Sequence, residues 1–228
     1  MTQDLPTPHE LAERLGEKLL KRGEKLVVAE GATGGALSNL LTHVPGSSSW
    51  FRAGIVAYTD FPKQLLLRVS TETIQDQGAI SAEATVQMAR LARRLLAADW
   101  GLAVAGYADD SEPVRDDRAQ GVPTATPASA ERIPEEKRAA GAGLTFIAVA
   151  GVTEHPTEER PDTHTWEERL LPAPDRQSYK EEAAACAIEL LLSVIAAAEK
   201  PKRARKSGAT KKPAAKKAAG GGAGRRKR

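Results

Sequence analysis

Behind Thr7-Pro8-His9-Glu10, the apolar residues Leu11, Leu15 and Leu19 fall on one face of a helix. The Thr7 hydroxyl can cap the first backbone N–H groups, Pro8 suits the first helical position, and Glu10 can complete a capping box. Gly23 is placed to stop that helix. Lys25-Leu26-Val27-Val28-Ala29 is then apolar and β-branched over the length of a buried strand. Gly31-Ala32-Thr33-Gly34-Gly35 follows, and Leu37, Leu40, Leu41 and Val44 recur at helical spacing up to Pro45-Gly46. The order is helix, strand, glycine-rich turn, helix.

A second strand is expected at Ala53–Thr59 and a short helix at Phe61–Leu67, with Gly78 as punctuation. Ser81 can cap a longer helix carrying Val86, Ala89, Leu95 and Leu96, and Trp100–Gly106 reads as a third buried strand. The apolar pattern lapses over residues 109–142, rich in Asp, Glu, Arg, Pro and Ala, which read as a polar, disordered insertion. Leu144–Ala150 resumes as a strand, Thr165–Leu171 is expected as an edge strand, and Tyr179–Ala198 as a helix. Strands alternating with helices predict one α/β domain over residues 8–198, a three-layer α/β/α arrangement with a mixed sheet. The glycine turn and Tyr58 are expected to face one pocket.

Composition narrows this picture. A chain of 228 residues with 41% hydrophobic content holds one ordinary core, and with 4% aromatic residues that core is built from Leu, Val, Ile and Ala. Cys186 is the single cysteine, which excludes an intramolecular disulfide and a multi-cysteine metal site and points to a reducing compartment. MTQDLPTPHE has neither a basic start nor an apolar run, and no stretch approaches ~20 apolar residues, so a cytoplasmic location is expected.

The net charge of +3 conceals a sharp division. Residues 200–228 carry 13 of the 33 Lys and Arg and none of the 30 Asp and Glu, so the first 199 residues hold 20 basic against 30 acidic groups, a net −10. Residues 199–228 are therefore expected to be a disordered, Lys/Arg/Ala-rich tail on an acidic domain.

Chemistry is first suggested by the turn. A glycine-rich turn between a strand and a helix presents backbone N–H groups and the positive end of the helix dipole, which suit a phosphate or a developing oxyanion. Thr33-Gly34-Gly35 has this form, although such turns also serve close packing alone, and the Gly-Lys-Ser/Thr ending of a P-loop is absent.

Four segments in sequence carry a more specific signal. They are Ala29-Glu30-Gly31-Ala32-Thr33-Gly34-Gly35, Val44-Pro45-Gly46-Ser47-Ser48-Ser49-Trp50-Phe51, Val56-Ala57-Tyr58-Thr59-Asp60-Phe61-Pro62-Lys63 and Gly78-Ala79-Ile80-Ser81. In order and spacing they resemble A-E-S-C-T-G-G, V-P-G-S-S-x-x-F, V-x-Y-S-N-x-x-K and G-A-V-S of the CinA C-terminal domain, the nicotinamide mononucleotide deamidase fold of the competence/damage-inducible family. Leu102–Gly106, Gly143–Ala148 and Asp175-Arg176 resemble later segments of the same family, so the likeness runs over about residues 8–198.

That resemblance implies hydrolysis of the amide of nicotinamide mononucleotide to the acid with loss of ammonia, without metal or cofactor, as a step in recycling pyridine nucleotides. The family serine of S-C-T-G-G is the implied nucleophile, with the tyrosine and lysine of Y-S-N-x-x-K beside it. Carried over, these are Gly31, Tyr58 and Lys63, while Thr33, Gly34, Gly35 and Arg176 are the implied substrate contacts. An amide carbonyl needs an activated hydroxyl, a lysine of lowered pKa can serve as base, and turn N–H groups can hold an oxyanion.

The chain departs from this pattern at the decisive position. Gly31 has no side chain and cannot attack a carbonyl, and the next family residue, cysteine, is Ala32. The family's T-G-I-A-G-P-G-G loop is replaced by Ala105-Gly106-Tyr107-Ala108-Asp109-Asp110 and the long insertion. The expectation is a catalytically impaired member that keeps at most nucleotide binding or an interaction role, in damage or competence physiology as the family name implies; the alternative is a working amidohydrolase using another group. Thr33 lies two residues along the turn from the serine position and is a poor substitute. No activity of the molybdopterin-binding-like domain that accompanies many members is expected.

The remaining candidates divide between chemistry and plain structure. Tyr58 also reads as a half-buried aromatic, Lys63 as a solvated helix residue, Arg176 as a helix-start residue beside a capping Asp175, and Cys186 as core. His9, His43, His155 and His164 lack ligand spacing. In the tail, Lys202, Arg203, Arg205, Lys206, Lys211, Lys212, Lys216, Lys217, Arg225, Arg226, Lys227 and Arg228 form the expected nucleic-acid-binding set, for DNA or RNA and hence for a place at the nucleoid. Anionic membrane surfaces and acidic proteins compete for the same charges, and the family resemblance implies homo-oligomers.

Overall fold

The computed structural model describes residues 5–108, 142–151 and 163–199. Helix α1 (Pro8–Arg22) opens with the expected capping box: the Thr7 hydroxyl accepts from the Glu10 N–H at 3.2 Å, and the Glu10 carboxylate accepts from the Thr7 N–H at 2.7 Å. It stops at Gly23, whose left-handed φ of 66° places its N–H on the last carbonyls of the helix. Strand β1 (Leu26–Glu30), the turn, and helix α2 (Ala36–Thr42) follow, then a single 3-10 turn at Ser47–Ser49 and strand β2 (Phe51–Val56). Helices α3 (Asp60–Leu67), α4 (Thr71–Gln77) and α5 (Ala82–Leu95) lead to strand β3 (Trp100–Gly106). Strands β4 (Leu144–Gly151) and β5 (Thr163–Leu170) precede the long helix α6 (Arg176–Glu199).

The sheet runs β2-β1-β3-β4-β5, with β1 parallel to β2 and β3, and β4 antiparallel to both β3 and β5. It is the mixed sheet of the expected three-layer fold. Side chains alternate across it: Leu26, Val28, Leu102, Val104, Ile147 and Val149 pack beneath α1, α2 and α6, while Val27, Ala29, Ala103, Ala105, Ala148 and Ala150 face α3, α4 and α5. The alanine-lined face lets α5 settle close to the strands. A Cβ at Gly101 would overlap the carbonyl oxygen of Ala89 on that helix, so glycine is required at this crossing.

Several boundaries differ from the sequence reading. The second strand is Phe51–Val56 rather than Ala53–Thr59, because beyond Ala57, whose N–H still reaches the Glu30 carbonyl, the chain turns away to enter α3, whose Lys63 and Leu67 turn inward. Helix α4 was not expected; its seven residues bury only Thr73 and Ile74, too few for an apolar period. Helix α6 begins three residues before the expected Tyr179, at the residue after Asp175, whose carboxylate accepts from the Ser178 N–H at 2.8 Å. The polar insertion, apart from Ala142, and the tail from Lys200 onward lie outside the described residues.

Candidate functional site at the carboxyl edge of the parallel strands

The carboxyl ends of β2, β1 and β3 lie side by side, Glu30 pairing with Val56 on one side and Val104 on the other. The chain therefore crosses to opposite sides of β1 at this edge, the place where open α/β sheets bind ligands. The Ala57 N–H donates to the Glu30 carbonyl, and the Gly31 N–H to the Val104 carbonyl, each at 2.8 Å, so the start of the turn is clamped between both neighbours.

The Glu30 side chain is completely buried and organises everything beyond it. One carboxylate oxygen accepts from the Thr33 hydroxyl at 2.7 Å and from the N–H groups of Gly35 at 2.9 Å and Leu37 at 3.1 Å. The other accepts from the Ser38 N–H at 2.9 Å and from the Ser38 hydroxyl. A buried carboxylate is tolerable because charge-assisted hydrogen bonds satisfy its lone pairs and the start of α2 faces it with partial positive charge. The donors that made the turn attractive for a phosphate are thus largely taken by the protein's own carboxylate. Gly34 and Gly35, at φ of 57° and 101°, supply the left-handed backbone that brings those N–H groups round.

Gly31 lies on the parallel-strand side of this turn with an ordinary backbone conformation. A Cβ there would stand 3.3 Å from the Val104 carbonyl oxygen and 3.6 Å from the Ala105 Cα, so a small side chain fits if the neighbours yield by a few tenths of an ångström. Thr33, the other hydroxyl of the turn, is wholly buried with its proton committed to Glu30.

Tyr58 and Arg176, 118 residues apart, are brought together: Arg176 Nη2 donates to the Tyr58 hydroxyl at 2.9 Å, and both side chains are exposed. One helical turn along α6, Lys180 Nζ lies 3.6 Å from where a Cβ on Gly34 would sit. The start of α6 therefore holds one guanidinium against Tyr58 and one ammonium against the glycine turn. Tyr179, between them, is fixed by its buried hydroxyl, 2.8 Å from the Thr145 hydroxyl, and a Cβ on Gly106 would collide with it. Burial pushes the Tyr179 phenol up to about 12.

Lys63 departs from the solvated reading. It is 2% exposed, Nζ donates to the Ala79 carbonyl at 2.8 Å, and loss of hydration lowers its pKa from 10.5 to about 8, against a smaller raising effect of Asp60. It contacts neither Tyr58 nor Arg176 by hydrogen bond. Ser81 is also structural, its buried hydroxyl accepting from the Ala84 N–H at 3.2 Å at the start of α5. Cys186 is buried in α6, and burial raises its thiol pKa. His9 bonds Glu13 at 3.5 Å and His43 the Asn39 carbonyl at 2.7 Å; among the described residues no group of three or more His, Cys, Asp or Glu is placed to hold a metal. No helix among them is long and apolar enough to cross a membrane. His155 and the basic tail residues lie outside the described residues.

Glu30, Ser38 and Lys180 were not singled out from the sequence. Glu30 carries a signal in hindsight, an acid ending an apolar strand before a glycine turn, and Lys180 stands four residues after Arg176, on the same helical face.

A mixed five-stranded sheet between helices, with polar groups gathered where the strand order reverses, defines an α/β protein of the open-sheet class. The CinA C-terminal domain family model matches residues 8–122, just over half the chain, and the protein belongs to that family. A CinA-like protein of a Synechococcus species is 46% identical over 98 residues, which are 43% of this chain and 23% of that protein. One from a Picosynechococcus species is 43% identical over 106 residues, 46% of this chain and 25% of that protein. The chain thus spans about a quarter of the length of the curated relatives it matches. Among solved structures, the competence/damage inducible protein CihA from Agrobacterium tumefaciens superposes with a TM-score of 0.65 at 25% identity, covering 86% of this chain and 99% of that one. A CinA superfamily protein from Enterobacter cloacae gives a TM-score of 0.66 at 22% identity, 86% and 96% covered, a likeness of fold.

The burial of Lys63 makes stability depend on pH. Its folded pKa of about 8 lies below the ordinary 10.5, so between these values the unfolded chain binds the proton that the folded chain has released, and stability rises with pH. Urea denaturation of the wild type, taken as the difference from Lys63→Met so that Tyr179 and other groups cancel, should gain about 3 kcal/mol between pH 8 and 10.5. A flat difference would mean that the ammonium is not desolvated.

Proposed function

We propose that this CinA-type domain binds a phosphate-bearing pyridine nucleotide at the carboxyl edge of β1, β2 and β3 without hydrolysing its amide, and holds nucleic acid through its basic tail. The observation that carries the first half is Gly31: the position of the family nucleophile has no side chain, and the hydroxyl of the same turn, on Thr33, is buried and donates to Glu30. The groups that would recognise an anion remain. Arg176 and Lys180 supply two positive charges at the start of α6, and Tyr58 supplies a half-exposed ring to pack against a base or a sugar. Because Glu30 already accepts from Gly35, Leu37 and Ser38, a phosphate is assigned to Arg176 and Lys180 rather than to the turn itself.

Lys63 favours one second reading, a working amidohydrolase, since an amine of pKa about 8 can act as a base near neutral pH. Ammonia release from nicotinamide mononucleotide separates the two. The impaired reading expects none, and turnover above ~1 s⁻¹, the low end of ordinary enzyme rates, contradicts it. Gly31→Ser should fold, given the space at that position, yet restore little activity, because the wall formed in the family by T-G-I-A-G-P-G-G is replaced here from Ala105 onward. Full restoration by that one substitution would show an otherwise intact catalytic pocket.

The tail reading rests on charge: 13 basic residues and no acid in residues 200–228, following a −10 domain. With no aromatic there, base stacking is unavailable, and binding is electrostatic and indifferent to sequence. If about six phosphates are neutralised, log affinity for duplex DNA should fall against log salt with a slope near −5, and a chain ending at Glu199 should lose nearly all binding. Equal binding by the truncated chain would refute the assignment.

A further inference from the structure

Resting on the nucleotide-binding reading above, we infer that Tyr58 acts on the ligand through Arg176: its hydroxyl holds the guanidinium in the position from which it grips a phosphate, and so sets a preference for a nucleotide over its nucleoside. The contact that carries this is the hydrogen bond from Arg176 Nη2 to the Tyr58 hydroxyl, 2.9 Å long, between residues 118 positions apart in the chain. Both side chains are exposed, so water could satisfy either polar group, and the bond is not one that burial of the fold demands.

The two ends of the bond are built differently. The phenol is the stiff one. Tyr58 has two side-chain torsions, and it follows Ala57, whose N–H is tied to the Glu30 carbonyl at 2.8 Å just beyond β2. Arginine is the flexible one, a long side chain whose rotamer freedom is lost when it grips an anion. The backbone of Arg176 is set by the Asp175 cap, whose carboxylate accepts from the Ser178 N–H at 2.8 Å and the Ser178 hydroxyl at 3.0 Å, and by the seating of Tyr179 against Thr145. Those contacts do not reach the guanidinium, and the Tyr58 hydroxyl does. Ordering a group before its ligand arrives removes that cost from binding, and a guanidinium carries five N–H donors, so the bond to Tyr58 does not exhaust it.

Lys180 supplies the contrast. It stands one helical turn along, its Nζ 3.6 Å from the place of a Cβ on Gly34, and makes no side-chain hydrogen bond or ion pair among the described residues. It brings charge to the edge without a fixed direction, whereas Arg176 brings a fork already held in place. Such a fork matches two oxygens of a phosphate, the group that a nucleoside lacks. The ring of Tyr58 packs alike against the base or sugar of either compound, so discrimination through Tyr58 rests on its hydroxyl.

The test compares nicotinamide mononucleotide with nicotinamide riboside, its nucleoside, by calorimetric titration of the full chain freed of nucleic acid. Tyr58→Phe removes one exposed hydroxyl and keeps the ring; it should weaken mononucleotide binding about 10-fold and leave riboside binding as it was. A second readout needs no ligand. The Nε–Hε NMR signal of Arg176, assigned by its loss in Arg176→Lys, should relax as an ordered group in the wild type and as a mobile one in Tyr58→Phe. Unchanged mononucleotide affinity in Tyr58→Phe overturns the inference. So does an equal loss for both ligands, which would give the phenol to the base or sugar, or a guanidinium as ordered without the hydroxyl as with it. These outcomes leave the proposed nucleotide site standing. A wild type that binds neither compound refutes that site and this inference together.

Discussion

The completely buried carboxylate of Glu30 is the constraint on which the site depends. It ends the central parallel strand, and its five hydrogen bonds gather the Thr33 hydroxyl, the Ser38 hydroxyl and three N–H groups from the start of α2. A charge taken out of water at this depth is stable only while those donors stay in place, since each lost bond leaves a lone pair without compensation. The turn and the helix are thereby held at one distance and angle from the sheet. Gly54 on β2 belongs to the same arrangement, because a Cβ there would occupy the place of the Ser38 hydroxyl.

The consequence for function is a division of labour at one edge. The donors of the turn are largely taken up by Glu30, and the start of α6 sets Arg176 against Tyr58 and Lys180 against Gly34, the groups to which the proposed anion recognition is assigned. Helix α6 can serve this role because Tyr179 is pinned to Thr145 at the beginning of β4 and because Asp175 caps its first turn. The carboxyl of Asp175 is held below its usual range chiefly by the Ser178 backbone hydrogen bond. At the position of the family serine stands Gly31, where a small side chain fits only if the Val104 carbonyl and Ala105 yield by a few tenths of an ångström.

The layered fold was legible because its long elements carry unambiguous periods. Leu11, Leu15 and Leu19 on α1, the capping box at Thr7, and the uninterrupted apolar runs of β1, β3 and β4 each point to one structure. Helix α4 and the end of β2 were not legible, since the first is set by packing on α5 and the second by the turn of the chain into α3, rather than by local pattern. The family likeness named Tyr58 and Arg176 separately as implied site residues, but their contact across 118 residues could not be read from spacing. The role of Glu30 escaped notice for a physical reason: an acid at a strand end looks solvent-facing until the helix that covers it is in place.

Binding without cleavage can be observed on one sample by following the carboxamide nitrogen of ¹⁵N-labelled nicotinamide mononucleotide by NMR as protein is added. A site that binds without cleaving should shift the amide signal with protein concentration, lose that shift in Arg176→Ala, and leave the signal at full intensity through prolonged incubation. Replacement of the amide signal by labelled ammonium in the presence of wild-type protein, or a signal indifferent to the protein altogether, would contradict it.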